Sequence, residues 1–267
     1  MASPLNFPIS PANLALAAVA VLFVLPAANG QSPSSQPAPQ HPNPVLVELF
    51  TSEGCSDCPP ADTLLERLDA QQPISGAQIV VLSEHVTYWN HQGWMDPFSL
   101  VDIDQRQQAY VQQFSLPSPA TPEFVVDGAA QVAGMDPNKL VQEITTAGAA
   151  PKLDLELDDA HRAADGSITF TVKATAPKTT LVAAVAENAT QSVVARGENA
   201  GKTLHYIAVV RVLKDFGSNA ADGRPLRLSS GDLQKAEKDN EPLRLVAFLV
   251  SKKDGHVVAV AQQTLSN

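Results

Sequence analysis

Cysteine is nearly absent from this chain, which has two cysteines in 267 residues, at positions 55 and 58. A scaffold held together by disulfides would carry more of them, spread along the sequence. A bridge that closes so short a loop removes little entropy from the unfolded chain, on the order of 2 kcal/mol. The spacing therefore indicates that Cys55 and Cys58 stand together for their chemistry.

Basic residues are also scarce, since 18 Lys and Arg stand against 28 Asp and Glu and leave a formal net charge of -10 at pH 7. A negatively charged surface repels phosphate backbones and anionic lipids, which argues against nucleic acid as a partner. The sequence also lacks a P-loop, a dinucleotide-binding glycine motif and a nucleophile-elbow serine motif. No cofactor is therefore predicted.

The first thirty residues predict export. Residues 14–25 form an apolar run of signal-peptide length, and the small residues at 28–30 suit cleavage after Gly30. No Lys or Arg precedes Arg67, so only the α-amino group supplies the positive charge usual ahead of such a run. We predict a signal peptide over 1–30, a periplasmic or secreted protein, and no stable membrane insertion after cleavage. An uncleaved membrane tether is the alternative.

The remaining chain divides by pattern into a linker and two predicted domains. Residues 31–44 are rich in Pro, Ser and Gln and predict a disordered linker. Residues 45–149 predict the order β-α-β-α-β-β-α, with the first two strands parallel and Asp127-Gly128 turning a hairpin. Over residues 150–267, apolar and polar residues alternate in many short segments, which is typical of a β-sandwich.

The two cysteines fall between the first predicted strand and the first predicted helix. At that junction Cys55 meets unpaired N–H groups and the positive end of the helix dipole, which favour its thiolate. The thiolate is the attacking species in disulfide exchange, and Cys58 is placed to resolve the mixed disulfide. Glu53 and Asp57 flank the pair and oppose the thiolate by charge repulsion.

A second element of the predicted site is Thr121-Pro122, directly before the third strand. Thioredoxin-like domains keep a cis-proline beside their cysteines at this place, and residues 45–149 resemble such a domain. A cis X-Pro bond costs only about 0.5–1 kcal/mol, so the fold can fix it. The resemblance implies that Thr121 and Pro122 contact the backbone of a substrate, and it gives the fold class: an α/β thioredoxin-like domain followed by an all-β sandwich-like domain.

The aromatic segment 85–98 follows the second strand and holds both tryptophans, Trp89 and Trp94. Open α/β sheets place their sites at the carboxyl ends of strands, where this segment lies. One interpretation is a groove wall that binds substrate, with His85 or Asp96 moving protons during exchange. The other is a loop folded back on its own tryptophans, with His85 as a structural group.

Four motifs carry a narrower resemblance, to the exported bacterial family catalogued as domain of unknown function 1223. The first is VELFTSEGCSDCPPAD at 47–62. The second combines HVTYWN at 85–90 with GWMDPF at 93–98, and the third combines TP at 121–122 with VVDG at 125–128. The fourth is VVR at 209–211. The resemblance implies an exported protein with a thioredoxin-like fold, but no substrate. Ala120 departs from the aromatic residue expected before Thr-Pro.

Three functions remain open on the sequence. The first is a thiol–disulfide oxidoreductase, with Cys55 and Cys58 catalytic and with protein or small-molecule thiols and disulfides as partners. The second is a copper or zinc protein that uses the same cysteines with His85 and His91. The third is a non-enzymatic exported binding module whose cysteines stay oxidised.

Overall fold

The computed structural model describes residues 42–233 and 242–265, which contain eleven strands and four helices. The predicted signal peptide lies outside the described residues, as does the predicted linker up to residue 41. In chain order the elements are β1 (Asn43–Thr51), α1 (Pro59–Gln71), β2 (Ala77–His85), α2 (Val101–Gln113), β3 (Glu123–Val126), β4 (Ala130–Ala133), α3 (Pro137–Ala149), β5 (Glu156–Arg162), β6 (Ile168–Lys173), β7 (Thr179–Val193), β8 (Thr203–Gly217), β9 (Asp222–Leu228), α4 (Ser230–Leu233), β10 (Leu243–Ser251) and β11 (Val257–Thr264).

The elements from β1 to α3 follow the predicted order β-α-β-α-β-β-α. β1 pairs in parallel with β2 over its whole length, and antiparallel with β3 on its other side. β3 and β4 form the predicted hairpin. Because β1 lies between two strands and both of its faces are covered, its buried residues form a continuous run rather than an alternating one.

Helices α1 and α2 cover opposite faces of the β1–β2 pair. Thr51 of β1 hydrogen-bonds to Asp62 of α1, whereas Glu48 of β1 binds Arg106 of α2. Successive side chains of a strand point to opposite faces, so residues 48 and 51 point away from each other. The sheet therefore separates two groups of buried polar side chains, one beneath each helix.

We call the elements from β1 to α3 the first region and those from β5 to β11 the second region. The strands of the second region pack on both of their faces. Leu181, Ala183 and Val185 of β7 join one apolar core with β6, β9 and β10. Val182 and Ala184 of the same strand point the other way, into a core shared with β1 and β2. Seven strands, β5 to β11, lie in the region where the alternation predicted strands, although β7 and β8, at 15 residues each, are longer than the short strands expected.

The predicted fold class, an α/β thioredoxin-like domain followed by a separate all-β sandwich-like domain, is wrong. One mixed eight-stranded sheet runs through both regions in the order β11-β10-β7-β8-β2-β1-β3-β4, beside a three-stranded sheet β5-β6-β9. The regions join where Ser83 of β2 pairs in parallel with Val209 of β8. Within the first region β2 has only β1 as a partner, so its other edge offers unpaired N–H and C=O groups, which β8 takes up.

None of the helices in residues 42–233 and 242–265 is long and apolar enough to cross a membrane.

Candidate functional site

Cys55 and Cys58 form a disulfide in the turn between β1 and α1, with their Cα atoms 5.4 Å apart. Cys58 is the N-cap residue of α1, and two prolines follow it in the first turn. Its carbonyl oxygen accepts hydrogen bonds from the N–H groups of Ala61 and Asp62, at 2.8 and 3.1 Å. The strand-to-helix junction predicted from the sequence is thus correct, and the positive end of the helix dipole lies at the cysteine pair.

The disulfide is covered by protein, because Cys55 is 1% exposed and Cys58 is 0% exposed. The two residues between them, Ser56 and Asp57, are exposed. Disulfide exchange requires a thiolate to reach one of the sulfur atoms. The sulfur atoms are therefore not open to such a thiolate in this structure.

One cover is the β7–β8 loop, residues 194–202, which comes from the second region. The side chain of Asn199 is wholly buried, and its amide donates to the main-chain oxygens of Glu53 and Cys55 at 2.9 and 2.8 Å. The ammonium group of Lys202 donates to the side-chain oxygen of Asn199 at 2.9 Å. Asn199 thereby fixes the backbone that leads into the cysteine pair.

The β7–β8 loop makes a second contact through Glu198, whose carboxylate accepts the N–H of Ser56 at 3.2 Å. Sequence analysis missed both Glu198 and Asn199. Nothing local in the sequence connects this loop with Cys55, since the two are more than 130 residues apart and come together in the fold, where β8 pairs with β2 and packs against α1.

The other cover is the segment 89–97, which follows β2. The indole N–H of Trp94 donates to Glu53 Oε2 at 2.5 Å, and the N–H of Glu53 donates to Asp96 Oδ2 at 2.9 Å. A Cβ atom added at Gly197 would lie 3.2 Å from Trp94 Cβ, so this segment packs directly on the β7–β8 loop. The two covers form one surface over the disulfide.

Trp89 connects the cysteine turn with the predicted substrate-binding residues. A Cβ atom added at Gly54 would lie 3.0 Å from Trp89 Cβ. The indole N–H of Trp89 donates to Thr121 Oγ1 at 2.8 Å. The Thr121–Pro122 peptide bond is cis, as predicted. The structure thus links Gly54, Trp89 and Thr121 in one chain of contacts.

His85 is wholly buried at the end of β2. Its Nδ1 lies 2.8 Å from Asp96 Oδ2, and the rings of Phe98 and Tyr206 pack against it edge to face. Its Nε2 makes no hydrogen bond with any residue in the described parts of the chain. His85 thus has no exposed surface in this state with which to contact a substrate, although it connects to the cysteine turn through Asp96.

The ionisation of His85 and Asp96 is coupled. Burial by itself lowers the pKa of His85, but the carboxylates of Asp96, Asp62 and Glu53 raise it above its usual value. Burial by itself raises the pKa of Asp96, but the charge and hydrogen bond of His85 lower it below its usual value. Each of the two groups therefore favours the charged form of the other.

Asp62 is a buried carboxylate that sequence analysis missed as a site residue. It lies on α1 one turn after Cys58, and its Oδ1 accepts a hydrogen bond from Thr51 Oγ1 at 2.8 Å. Burial raises its pKa to about 7, against the opposing effect of the His85 charge. The sequence spacing could have identified it, because Asp62 comes four residues after Cys58 and a helix places two such residues on the same face.

The four residues of the alternative copper or zinc site do not all come together. His85 is paired with Asp96 in the interior, whereas His91 is exposed. Residues 42–233 and 242–265 contain no group of three or more His, Cys, Asp or Glu side chains arranged to hold a metal ion.

The sequence matches a family described as "Protein of unknown function (DUF1223)" over residues 46–250, which confirms the resemblance drawn from the four motifs. No curated protein matches the sequence.

Two solved structures are similar in fold. The crystal structure of protein AGR_C_4864 from Agrobacterium tumefaciens has a TM-score of 0.64 and 22% identity, covering 85% of this chain and 96% of that one. HBP35 of Porphyromonas gingivalis has a TM-score of 0.58 and 18% identity, covering 84% of this chain and 76% of that one. At these identities the similarity concerns the fold alone.

Proposed function

This chain belongs to the DUF1223 family, and we propose that it is a thiol–disulfide exchange protein that uses Cys55 and Cys58. Its substrates in this proposal are cysteines of other proteins or small thiols and disulfides. The observation that carries the proposal is Asp62, a buried carboxylate one turn beyond Cys58 whose pKa is raised to about 7. A purely structural bridge has no need of such a group beside it.

Cys55 is the attacking residue in this scheme. As a thiolate it forms a bond to one sulfur of a substrate disulfide, and the other substrate sulfur leaves as a thiolate. Cys55 lies before the N-cap residue of α1, in the turn that leads into the helix. The start of α1 stabilises the charge of its sulfur.

Cys58 completes the exchange. Its thiol gives its proton to the Asp62 carboxylate, and its sulfur attacks Cys55 Sγ, which releases the second substrate thiolate and forms the Cys55–Cys58 disulfide. The protein loses two electrons and the substrate gains them; the reverse sequence oxidises a dithiol. A pKa of about 7 lets Asp62 take up and release this proton at neutral pH.

His85 and Asp96 act on this step through Asp62. The imidazolium charge of His85 favours the ionised form of Asp62, which is the form that accepts a proton. Asp96 holds that imidazole at 2.8 Å and also accepts the N–H of Glu53 at 2.9 Å. In this proposal both are positioning residues rather than substrate contacts.

Thr121, Pro122, Trp89 and Trp94 form the binding surface in the proposal. Support comes from Trp89, which hydrogen-bonds to Thr121 and packs against Gly54 in the cysteine turn. A substrate backbone laid along Thr121 would therefore pass close to the disulfide once the two covers have moved.

We further propose that the protein is exported. The apolar run at 14–25 and the small residues at 28–30 support this, and export would bring the cysteine pair into a compartment where disulfides form. Mass measurement of protein isolated from the periplasm or the medium tests it, and the expected mature chain begins at Gln31. A chain that retains residues 1–30 and fractionates with the membrane would contradict it.

The test of the exchange proposal is a trapping experiment with two single variants. The Cys58→Ser variant is expected to accumulate mixed disulfides through Cys55, seen as a mass increase that a reductant removes. The Cys55→Ser variant should accumulate none and should lose exchange activity. The Ser56→Ala variant is the matched control in the same turn.

Exchange at an unchanged rate in Cys55→Ser would refute the proposal. Tight Cu⁺ or Zn²⁺ binding that is lost in the double Cys→Ser variant, without any exchange, would instead favour a metal-binding role. A disulfide that no thiol reduces under native conditions would favour a binding module.

A further inference from the structure

The charges packed around the cysteine pair bear on the direction of electron flow. We propose that the Cys55–Cys58 couple is a reductant, whose dithiol form donates two electrons to disulfides of other molecules. An external dithiol, on a protein or a small molecule, then returns it to the reduced form. This inference rests on the exchange function proposed above for the same site.

Four carboxylates from three segments either stand within four residues of a cysteine or contact the cysteine turn. Glu53, wholly buried, stands two residues before Cys55, and Asp57 stands between the cysteines. Asp62 is buried one turn further along α1. Glu198 of the β7–β8 loop binds the N–H of Ser56, which adjoins Cys55. Two of the four are buried, where solvent screens their charge least.

The cations near the pair already have anionic or polar partners. The His85 imidazole lies 2.8 Å from the Asp96 carboxylate. The Lys202 ammonium group donates to the Asn199 side chain at 2.9 Å. Arg211 of β8 stacks over Phe98, 5.2 Å from the ring centre. Within the described residues, no Lys or Arg forms a salt bridge with Glu53 or Asp62.

A thiolate at Cys55 or Cys58 adds negative charge to this acidic surrounding. The helix dipole favours the thiolate with the equivalent of about half a positive charge. Glu53 and Asp62 oppose it with up to one full charge each, in a buried place where Coulomb interactions are strong. Burial raises the pKa of both carboxylates, and each thiolate and carboxylate disfavours ionisation of the other.

The consequence concerns the balance between dithiol and disulfide. Stabilising the thiolate stabilises the reduced form and makes a couple oxidising, as in the strongly oxidising DsbA. Destabilising it has the opposite effect, because the two cysteines then release more free energy when they close the disulfide. Electrons pass from Cys55 and Cys58 to the target disulfide, whose two sulfurs leave as thiols.

The experiment equilibrates the full chain with a mixture of equal amounts of reduced and oxidised glutaredoxin. Alkylation of free thiols followed by mass spectrometry then gives the ratio of dithiol to disulfide. The expected result is a disulfide form at least ten times as abundant as the dithiol form. A dithiol form that equals or exceeds the disulfide form would overturn the inference.

Charge-removing variants test the cause. Asp62→Asn and Glu53→Gln are each expected to raise the dithiol-to-disulfide ratio about tenfold, and Glu198→Gln about twofold because its carboxylate is in contact with solvent. Glu66→Gln is the matched control, an exposed carboxylate on the same helix α1, and should leave the ratio unchanged. Unchanged ratios in both buried variants would overturn the inference, and either variant suffices if the other does not fold.

The trapping experiment and the redox equilibrium together distinguish a failure of the reductant role from a failure of the exchange function. If Cys58→Ser captures no mixed disulfide, the exchange function and the reductant role both fail. If it captures one while the wild-type couple equilibrates mainly as the dithiol, only the direction of electron flow is wrong.

Discussion

Glu84 and His85 are neighbours in β2, yet they belong to two different buried clusters, because successive side chains of a strand point to opposite faces of the sheet. On one face Glu84 lies with Glu48 and Arg106. On the other face His85 interacts with Asp96 and with Asp62 of α1. We call these the arginine cluster and the cysteine-side cluster.

The arginine cluster is arranged to keep its charge. Arg106 Nε donates to Glu48 Oε1 and lies 3.7 Å from Glu84 Oε1, and Tyr110 donates to Glu48 at 2.6 Å. Burial by itself lowers the pKa of Arg106, but these carboxylates raise it above its usual value. Burial raises the pKa of Glu84 well above its usual value, the charge of Glu48 adds to this, and the charge of Arg106 opposes it.

The cysteine-side cluster is arranged to change its charge. Its basic residue is a histidine whose pKa is raised by the nearby carboxylates, and the pKa of its carboxylate Asp62 is about 7. The carboxylates of both clusters are buried, and each cluster includes one residue of β2. The two clusters therefore differ in their basic residue, an arginine in one and a histidine in the other, rather than in the burial of their carboxylates.

The largest expected effect is loss of stability in Arg106→Met. Removing the guanidinium leaves Glu48 buried without a cation, which typically costs about 3–5 kcal/mol. Urea denaturation of the oxidised protein at pH 7 measures it. The paired variant Arg106→Met with Glu48→Gln should recover part of the loss, and a single variant as stable as the wild type would show that the arginine cluster is not structural.

The next effect is a change in pH dependence in Asp62→Asn. The folded pKa of Asp62 is about 7, against 3.8 for the ordinary group. Between these values the folded state binds more protons than the unfolded state, so this group's contribution to stability falls as pH rises from about 4 to about 7, by up to about 4 kcal/mol.

Urea midpoints at pH 4.5 and 7.5 for the oxidised wild type and for Asp62→Asn measure that contribution. The wild type should lose more stability than the variant between the two pH values, because the variant lacks the titrating carboxylate. Exchange by the variant should also slow at pH 7, by about 10–100-fold, since no base takes the Cys58 proton. Equal pH dependence in both proteins would refute this account of the cysteine-side cluster.

A smaller effect is expected for Asn199→Ala, which removes the hydrogen bonds between the β7–β8 loop and the cysteine turn. The variant leaves the carbonyl oxygens of Glu53 and Cys55 without their shared donor, at a cost of about 1–3 kcal/mol. Reduction of the disulfide by dithiothreitol should become faster because the cover opens more often. Arg196→Ala, in an exposed position of the same loop, is the control. A slower reduction in Asn199→Ala would contradict the role of the loop as a cover.

The smallest effect is expected for Gly54→Ala, at about 1 kcal/mol. The added methyl group would lie 3.0 Å from Trp89 Cβ and 3.4 Å from the Trp89 carbonyl oxygen, so the cysteine turn or the segment 89–97 must shift. Thermal denaturation measures the cost, and a change in tryptophan fluorescence shows whether Trp89 moves. A variant that keeps wild-type stability and fluorescence would mean that the contact adapts freely.

Local patterns in the sequence were sufficient for the local parts of this protein. The strand-to-helix junction of Cys55 and Cys58, the hairpin at Asp127-Gly128 and the strands of the second region all rest on turn residues, capping residues and periodicity, which act over a few positions. The four motifs likewise identified the family correctly over most of the chain.

Those patterns could not reveal the contacts between residues that are far apart in the sequence. The free edge of β2 accepts β8, and this pairing merges two predicted domains into one sheet. It also brings Asn199 onto the backbone of Cys55 and leaves the disulfide buried. The pKa of Asp62 follows from that burial, because the solvation of a carboxylate depends on everything packed around it and not on its neighbours in sequence.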